Sequence, residues 1–251
     1  MDRNTSRSTG KPTFMGLVTI GHSFGGQVLF KAVSDAFEND LITAVAKVKG
    51  EPDQTRPKPE IVSGLGDMMV LLNPSMEAFQ YERIDRLATE VSFNEDQAPV
   101  LLTVSAEDDS ARKYWFPIAR TLNVLFRPLF KNDEEKDLWT TALGEYEPQQ
   151  THTLQVSDRV PTISDSLYKK CAIAKEDLTQ ALVLGSAQLE PKPDRHRPYS
   201  PVVIAYTSNK LVQEHSGIFG ETFSNFLIDY VTFVQGKRMC LIRGMGSAPT
   251  N

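Results

Sequence analysis

The amino-acid sequence predicts an α/β protein in which a mostly parallel sheet is flanked by helices. Four short apolar runs stand between turn signals, and such runs are typical of buried parallel strands. They occupy residues 17–20, 68–72, 99–105 and 201–207. Helical patterns alternate with these runs, and this alternation is what βαβ units produce.

Two helices are predicted from apolar side chains that recur on one helical face. One follows the first strand directly, and the other lies near the end of the chain. Their apolar positions are Val28, Leu29, Ala32, Val33, Ala36 and Phe37 in the first, and Phe223, Phe226, Leu227, Tyr230, Val231 and Val234 in the second.

Length and composition are those of an ordinary globular protein, with 251 residues, 40% hydrophobic and 24% charged. We predict a single domain over residues 1–251. Its core segments are residues 14–110 and 200–236, and a long insertion at 111–199 precedes the last strand. The pattern of the insertion is too mixed to predict its fold.

Charge and residue usage exclude several classes of function. The formal net charge is −5 and the basic residues are dispersed, so no nucleic-acid partner is expected. No apolar run approaches the ~18–20 residues that span a bilayer, so we predict a cytoplasmic protein without a transmembrane segment. Cys171 and Cys240 are too few for a disulfide framework or a cysteine metal cage. The sequence predicts neither a metal nor a cofactor.

The most informative motif is GHSFGG at residues 21–26, which follows the first strand and opens the first helix. It matches G-x-S-x-G in its expected context of strand, sharp turn and helix. Ser23 would sit in strained backbone at the turn, with Gly21 and Gly25 giving clearance and Gly26 allowing close helix packing. The alternative is a glycine-rich turn with an incidental serine, or a phosphate-binding turn.

This motif resembles the α/β-hydrolase superfamily, in particular its Gly-His-Ser-x-Gly-Gly serine esterases and lipases. The resemblance extends from about Leu17 to about Val234, with the insertion poorly matched. It implies that Ser23 is a nucleophile, followed along the chain by an acid and then a histidine. It also implies that the Phe24 backbone N–H binds the oxyanion, helped by the positive end of the helix dipole.

The acid is expected in the polar turn after the third strand. Asp108 is the first choice, Asp109 the second and Glu107 the third. The alternative is that this turn only caps the next helix. The turn after the second strand, residues 72–75, offers Asn73 and no carboxylate.

The general base is expected between the last strand and the last helix, where His215 lies. There it could take the serine proton while the acid fixes its tautomer. His152 is the competitor, because it also follows the acid along the chain, but no strand-then-helix frame surrounds it.

The N-terminal part of the resemblance is incomplete, because only 16 residues precede Leu17. Family members carry several earlier strands and a loop with a second oxyanion donor, and each βα unit takes roughly 30 residues. The first strand is therefore expected to be an exposed apolar edge, open to self-association. Three explanations compete: a truncated gene product, an insertion that folds back over this edge, or a degenerate module that binds without catalysis.

The resemblance implies a serine hydrolase that cleaves a small carboxylic ester or acyl substrate through an acyl-enzyme intermediate. Ser23, Asp108 and His215 would form its triad, with Phe24 in the oxyanion hole. The alternative is a catalytically impaired or inactive α/β-hydrolase-like binding protein.

Overall fold

A computed structural model describes residues 16–50, 61–63, 66–106, 130–161, 178–208, 211–212 and 220–246. The strands in these residues are β1 (Val18–His22), β2 (Met68–Leu72), β3 (Leu101–Ala106), β4 (His152–Val156), β5 (Leu182–Leu184), β6 (Ala187–Pro191) and β7 (Val202–Thr207). The helices are α1 (Phe24–Gly50), α2 (Phe79–Thr89), α3 (Asp133–Thr140) and α4 (Glu221–Gly246), with a short 3₁₀ helix at Glu147–Gln149.

The strands form one seven-stranded sheet in the order β1-β2-β3-β7-β4-β6-β5. The five strands from β1 to β4 in this order pair in parallel, and β6 runs antiparallel to both of its neighbours. The predicted α/β class with a mostly parallel sheet is therefore confirmed. The four strands predicted from apolar runs are the first four of the sheet.

Apolar side chains cover both faces of the sheet, which explains why β2 and β3 are buried throughout. Alternate residues of a strand point to opposite faces. Met68 and Val70 belong to the cluster that contains the aromatic side chains of α4. Met69 and Leu71 belong to the cluster that contains the buried side chains of α1 and α2. The sheet is thus the middle of three layers.

The described part of the insertion extends the sheet, since β4, β5 and β6 lie beyond β7. They occupy the edge opposite β1, so in this part of the chain the insertion does not fold back over β1. Among the described strands β1 has a partner on one side only. Its side chain Ile20 is 55% exposed. The expected open apolar edge is confirmed within these residues.

Polar contacts join α4 to the loops at the amino ends of the strands. Arg238 Nη1 lies 3.1 Å from Asp67 Oδ1, and both side chains are largely buried. The other carboxylate oxygen of Asp67 accepts a 2.6 Å hydrogen bond from the Leu17 N–H.

Cys240 is buried and disulfide-bonded, and its partner lies outside the described residues. Among the described helices none has the length and apolar character needed to cross a membrane.

Candidate active site

Ser23 occupies the sharp turn between β1 and α1 and has a φ of 55°. Its N–H donates to Leu72 O at 3.0 Å, and its carbonyl accepts from Gly26 N and Ser75 N, each at 3.0 Å. A non-glycine residue with positive φ stores ~1–3 kcal/mol of strain and persists only where its surroundings hold it. Hydrogen bonds from both α1 and the β2 side hold it here. The predicted strained serine is therefore present at the carboxyl edge of the sheet.

Two of the three motif glycines are closely approached by other atoms. A Cβ at Gly21 would lie 2.7 Å from Gly26 Cα, and a Cβ at Gly26 would lie 3.1 Å from Pro74 Cβ. These contacts explain how α1 comes close to β1 and to the loop after β2. A Cβ at Gly25 would meet nothing within 4 Å. The expected need for clearance at Gly25 is therefore wrong as far as the described atoms are concerned.

The first turn of α1 provides N–H groups beside Ser23. The Gly26 and Gln27 N–H groups bond to Ser23 O at 3.0 and 3.4 Å. Phe24 begins the helix, so no carbonyl of an earlier helical turn can accept its N–H. This N–H and the positive end of a 27-residue helix are suited to binding an oxyanion next to Ser23.

The loop after β2 brings a second hydroxyl to the nucleophile position. Asn73 is fully buried, has a φ of 42°, and bonds to β3 twice. Its N–H donates to Val104 O at 2.8 Å, and its Oδ1 accepts from Ala106 N at 2.9 Å. Two residues further on, Ser75 Oγ lies 3.1 Å from Ser23 Oγ.

Ser75 is not among the residues that the sequence analysis predicts, because only a carboxylate is expected in the loop after β2. One signal could have found it. A serine lies three residues past the end of a strand that neighbours β1 in a parallel sheet, so its side chain is brought to the same edge as Ser23.

The other predicted triad residues lie outside the described residues: Asp108, with its alternatives Asp109 and Glu107, and His215. The strands that lead to them end at Ala106 and Thr207, at the same edge of the sheet as Ser23. These strands are two and three positions from β1, or ~10 and ~14 Å.

His152 is held far from Ser23. It begins β4, four strand positions or ~19 Å from β1. Its Nδ1 lies 2.8 Å from Thr151 Oγ1 and its Nε2 lies 3.2 Å from Leu178 O. Burial disfavours the charged ring and lowers the pKa of His152 to about 4. The structure therefore does not bring this competitor to the nucleophile.

A small cavity lies near the amino ends of β3 and β7, beside Pro99 and Val202, whereas Ser23 lies at the carboxyl edge of the sheet. Its lining includes His152, His196, Tyr199, Ser200 and Lys237. Its volume is about 20 Å³, which is room for one water molecule. No group of three or more potential metal ligands occurs within the described part of the chain.

Comparisons with known proteins found no match to a family model, a curated protein or a solved structure. What the fold and the site define is an α/β protein with a strained serine turn at the carboxyl edge of a mostly parallel sheet. The hydrolase resemblance rests on the motif at residues 21–26 and its flanks.

Proposed function

We propose that this protein is a serine hydrolase that cleaves a carboxylic ester through an acyl-enzyme intermediate. One observation carries the proposal: Ser23 has a φ of 55° at a turn from a parallel strand into a helix. Glycine adopts such backbone at little cost, so a merely structural turn has no need of a serine there. A strained serine in this context is what a nucleophile elbow requires.

The local hydrogen bonds favour a nucleophile over a phosphate-binding turn. A phosphate cradle uses several N–H groups of the first helical turn at once. Here the Gly26 and Gln27 N–H groups are directed to Ser23 O instead. The Phe24 N–H beside the serine suits a single oxyanion better than a whole phosphate group.

In the proposed mechanism, Ser23 Oγ attacks the ester carbonyl carbon while His215 takes the serine proton. The Phe24 N–H binds the negative oxygen of the tetrahedral intermediate, and Asp108 orients His215. Collapse of the intermediate expels the alcohol, which receives its proton from His215. Water then attacks the acyl-enzyme by the reverse proton path, and the acid and free Ser23 are produced.

The second candidate is an α/β-hydrolase-like binding protein without catalysis. The open β1 edge favours it, because Leu17 and Ile20 at β1, together with Phe24 and Val28 in the first turns of α1, are 54–67% exposed. Apolar edge strands without blocking charges pair readily with another chain. In this candidate the edge is the functional surface, and a second copy of the chain is one partner it accepts.

A cytoplasmic location is part of the proposal, and one feature stands against it. Disulfides are rare in cytosolic proteins, and Cys240 is disulfide-bonded.

The proposal is tested by p-nitrophenyl ester turnover at pH 7. We expect Ser23→Ala and His215→Ala to lower kcat by ~10²–10⁴-fold, since each removes a group that acts in proton transfer or attack. His152→Gln is expected to keep near wild-type turnover. Comparison of Asp108→Asn with Asp109→Asn identifies the acid.

A serine-to-alanine control is Ser157→Ala. Ser157 follows the carboxyl end of β4, four strand positions or ~19 Å from β1, and its hydroxyl accepts a hydrogen bond from the Arg159 N–H. Wild-type turnover no greater than that of Ser23→Ala contradicts the hydrolase and favours the binding protein. Loss of turnover in His152→Gln alone, with His215→Ala unaffected, contradicts the assigned base.

A further inference from the structure

The contact between Ser23 and Ser75 joins two chain segments 52 residues apart. It consists of two bonds, Ser75 N–H to Ser23 O at 3.0 Å and Oγ to Oγ at 3.1 Å. The first fixes the backbone of Ser75 against the elbow. The second places the Ser75 hydroxyl within hydrogen-bond distance of Ser23 Oγ, the predicted nucleophilic atom.

The loop that carries Ser75 is held rigidly in place. The Asn73 N–H and Oδ1 both form hydrogen bonds with the backbone of β3. Pro74 packs against Gly26, at the close approach described above. Asn73 and Ser23 are both non-glycine residues with positive φ, at the ends of neighbouring strands. The distance between the two hydroxyls is therefore fixed by the backbone of the Ser23 turn and by that of the loop after β2.

We infer that Ser75 is a positioning residue for the Ser23 nucleophile, an inference that rests on the proposed hydrolase function. A serine side chain has three staggered rotamers. The two hydroxyl oxygens lie 3.1 Å apart, and either can be the donor. With Ser75 as the donor, the bond selects the rotamer in which Ser23 Oγ accepts the Ser75 proton. The Ser23 proton is then left to point at the base.

Sheet order places Ser75 on the side of the nucleophile that faces β3. β2 lies between β1 and β3, and β7 lies beyond β3. The loop after β2 is therefore on the side of Ser23 toward the ends of β3 and β7, from which the acid and base segments depart.

The hydrogen bond strengthens during the reaction. As the base removes the Ser23 proton, negative charge grows on Oγ, and the Ser75 O–H becomes a charge-assisted donor. Ser75 keeps its own proton throughout. An interaction that is stronger in the transition state than in the ground state accelerates the step. Hydrogen bonds to charged groups of this kind correspond to a ~10–100-fold rate effect.

The test is the second-order rate constant for labelling of Ser23 by a fluorophosphonate. We expect Ser75→Ala to slow labelling ~10–100-fold with only a small decrease in the urea unfolding midpoint, because the bond between the hydroxyls is lost while the backbone N–H of residue 75 can still bond to Ser23 O. Ser75→Thr keeps a hydroxyl and is expected to restore most of the rate. Ser157→Ala is the matched control and is expected to label at the wild-type rate.

A second measurement does not depend on activity. A double-mutant cycle of Ser23→Ala and Ser75→Ala, followed by urea unfolding, is expected to show coupling between the two hydroxyls. Absence of coupling overturns the inference. Wild-type labelling in Ser75→Ala also overturns it but leaves the hydrolase intact. Absence of Ser23-dependent labelling in the wild type overturns the hydrolase and this inference together.

Discussion

A pair of glycine substitutions tests how closely the helix approaches the strand at the elbow. Gly21 and Gly25 lie four residues apart in the same motif, yet their surroundings differ. A Cβ at Gly21 would lie 2.7–2.9 Å from backbone atoms of Gly25 and Gly26, whereas a Cβ at Gly25 would meet nothing within 4 Å. The same chemical change, glycine to alanine, is therefore expected to have opposite results at the two positions.

The magnitude at Gly21 follows from which atoms collide. The atoms nearest the added methyl group are all backbone, so relief requires β1 and α1 to move apart. Overpacking costs ~1–3 kcal/mol, and we expect the upper end because backbone atoms cannot rotate away. For a protein of this size ~3 kcal/mol lowers Tm by roughly 6–12 °C. Gly25→Ala is expected to be neutral or to stabilise by up to ~1 kcal/mol, since alanine favours a helix over glycine.

Thermal unfolding followed by circular dichroism at 222 nm, together with urea midpoints, measures both effects. The expected order of Tm is Gly25→Ala at or above wild type, with Gly21→Ala well below. If Gly21→Ala unfolds at the wild-type temperature, the close approach between strand and helix is refuted. If Gly25→Ala lowers Tm as much as Gly21→Ala does, the close approach of α1 to Gly21 does not explain the loss of stability.

Two further predictions concern titration and association. The pKa of His152 is about 4 when folded and about 6.5 when unfolded, so only the unfolded chain gains the proton between these values. Stability should therefore fall by up to ~3 kcal/mol as pH falls from 6.5 to 4, and His152→Gln should lose this dependence in urea unfolding. If the unfolding free energy of His152→Gln depends on pH as steeply as that of the wild type, burial of His152 is not the cause of the pH dependence. In the binding-protein candidate the β1 edge pairs with a second copy of the chain. Ile20→Lys places a charge on this edge and should then weaken self-association ~10–100-fold by sedimentation, whereas Ile42→Lys on α1 should not. Equal effects of the two lysines would exclude the edge as the contact.

The parallel strands were predictable because of where they lie. Strands buried on both faces are nearly continuous apolar runs, and β2 is fully buried at all five residues. The strands of the insertion carry weaker signals. β4 alternates buried His152 and Leu154 with more exposed residues, and β5 has only three residues. Short, mixed segments of this kind acquire their strand conformation from pairing with β7 and with each other.

The candidate site was predictable only where the reactive residue and the backbone that shapes it lie in one continuous stretch of the sequence. The strained serine follows from its motif, because glycines and the strand–helix frame are read along one stretch of chain. Ser75 was not predictable in this way, since its role depends on β2 lying beside β1. The distance of His152 from the nucleophile likewise depends on sheet order. Asp108 and His215 stay predictions.

Covalent labelling is the direct test of whether Ser23 is an activated nucleophile, as we propose. The folded protein is treated with a fluorophosphonate, and the adduct is located by mass spectrometry of its peptides. We expect one adduct on Ser23 that is absent in Ser23→Ala, while Ser157→Ala labels as wild type does. A folded wild-type protein that takes no label at Ser23 would contradict an activated nucleophile at this position.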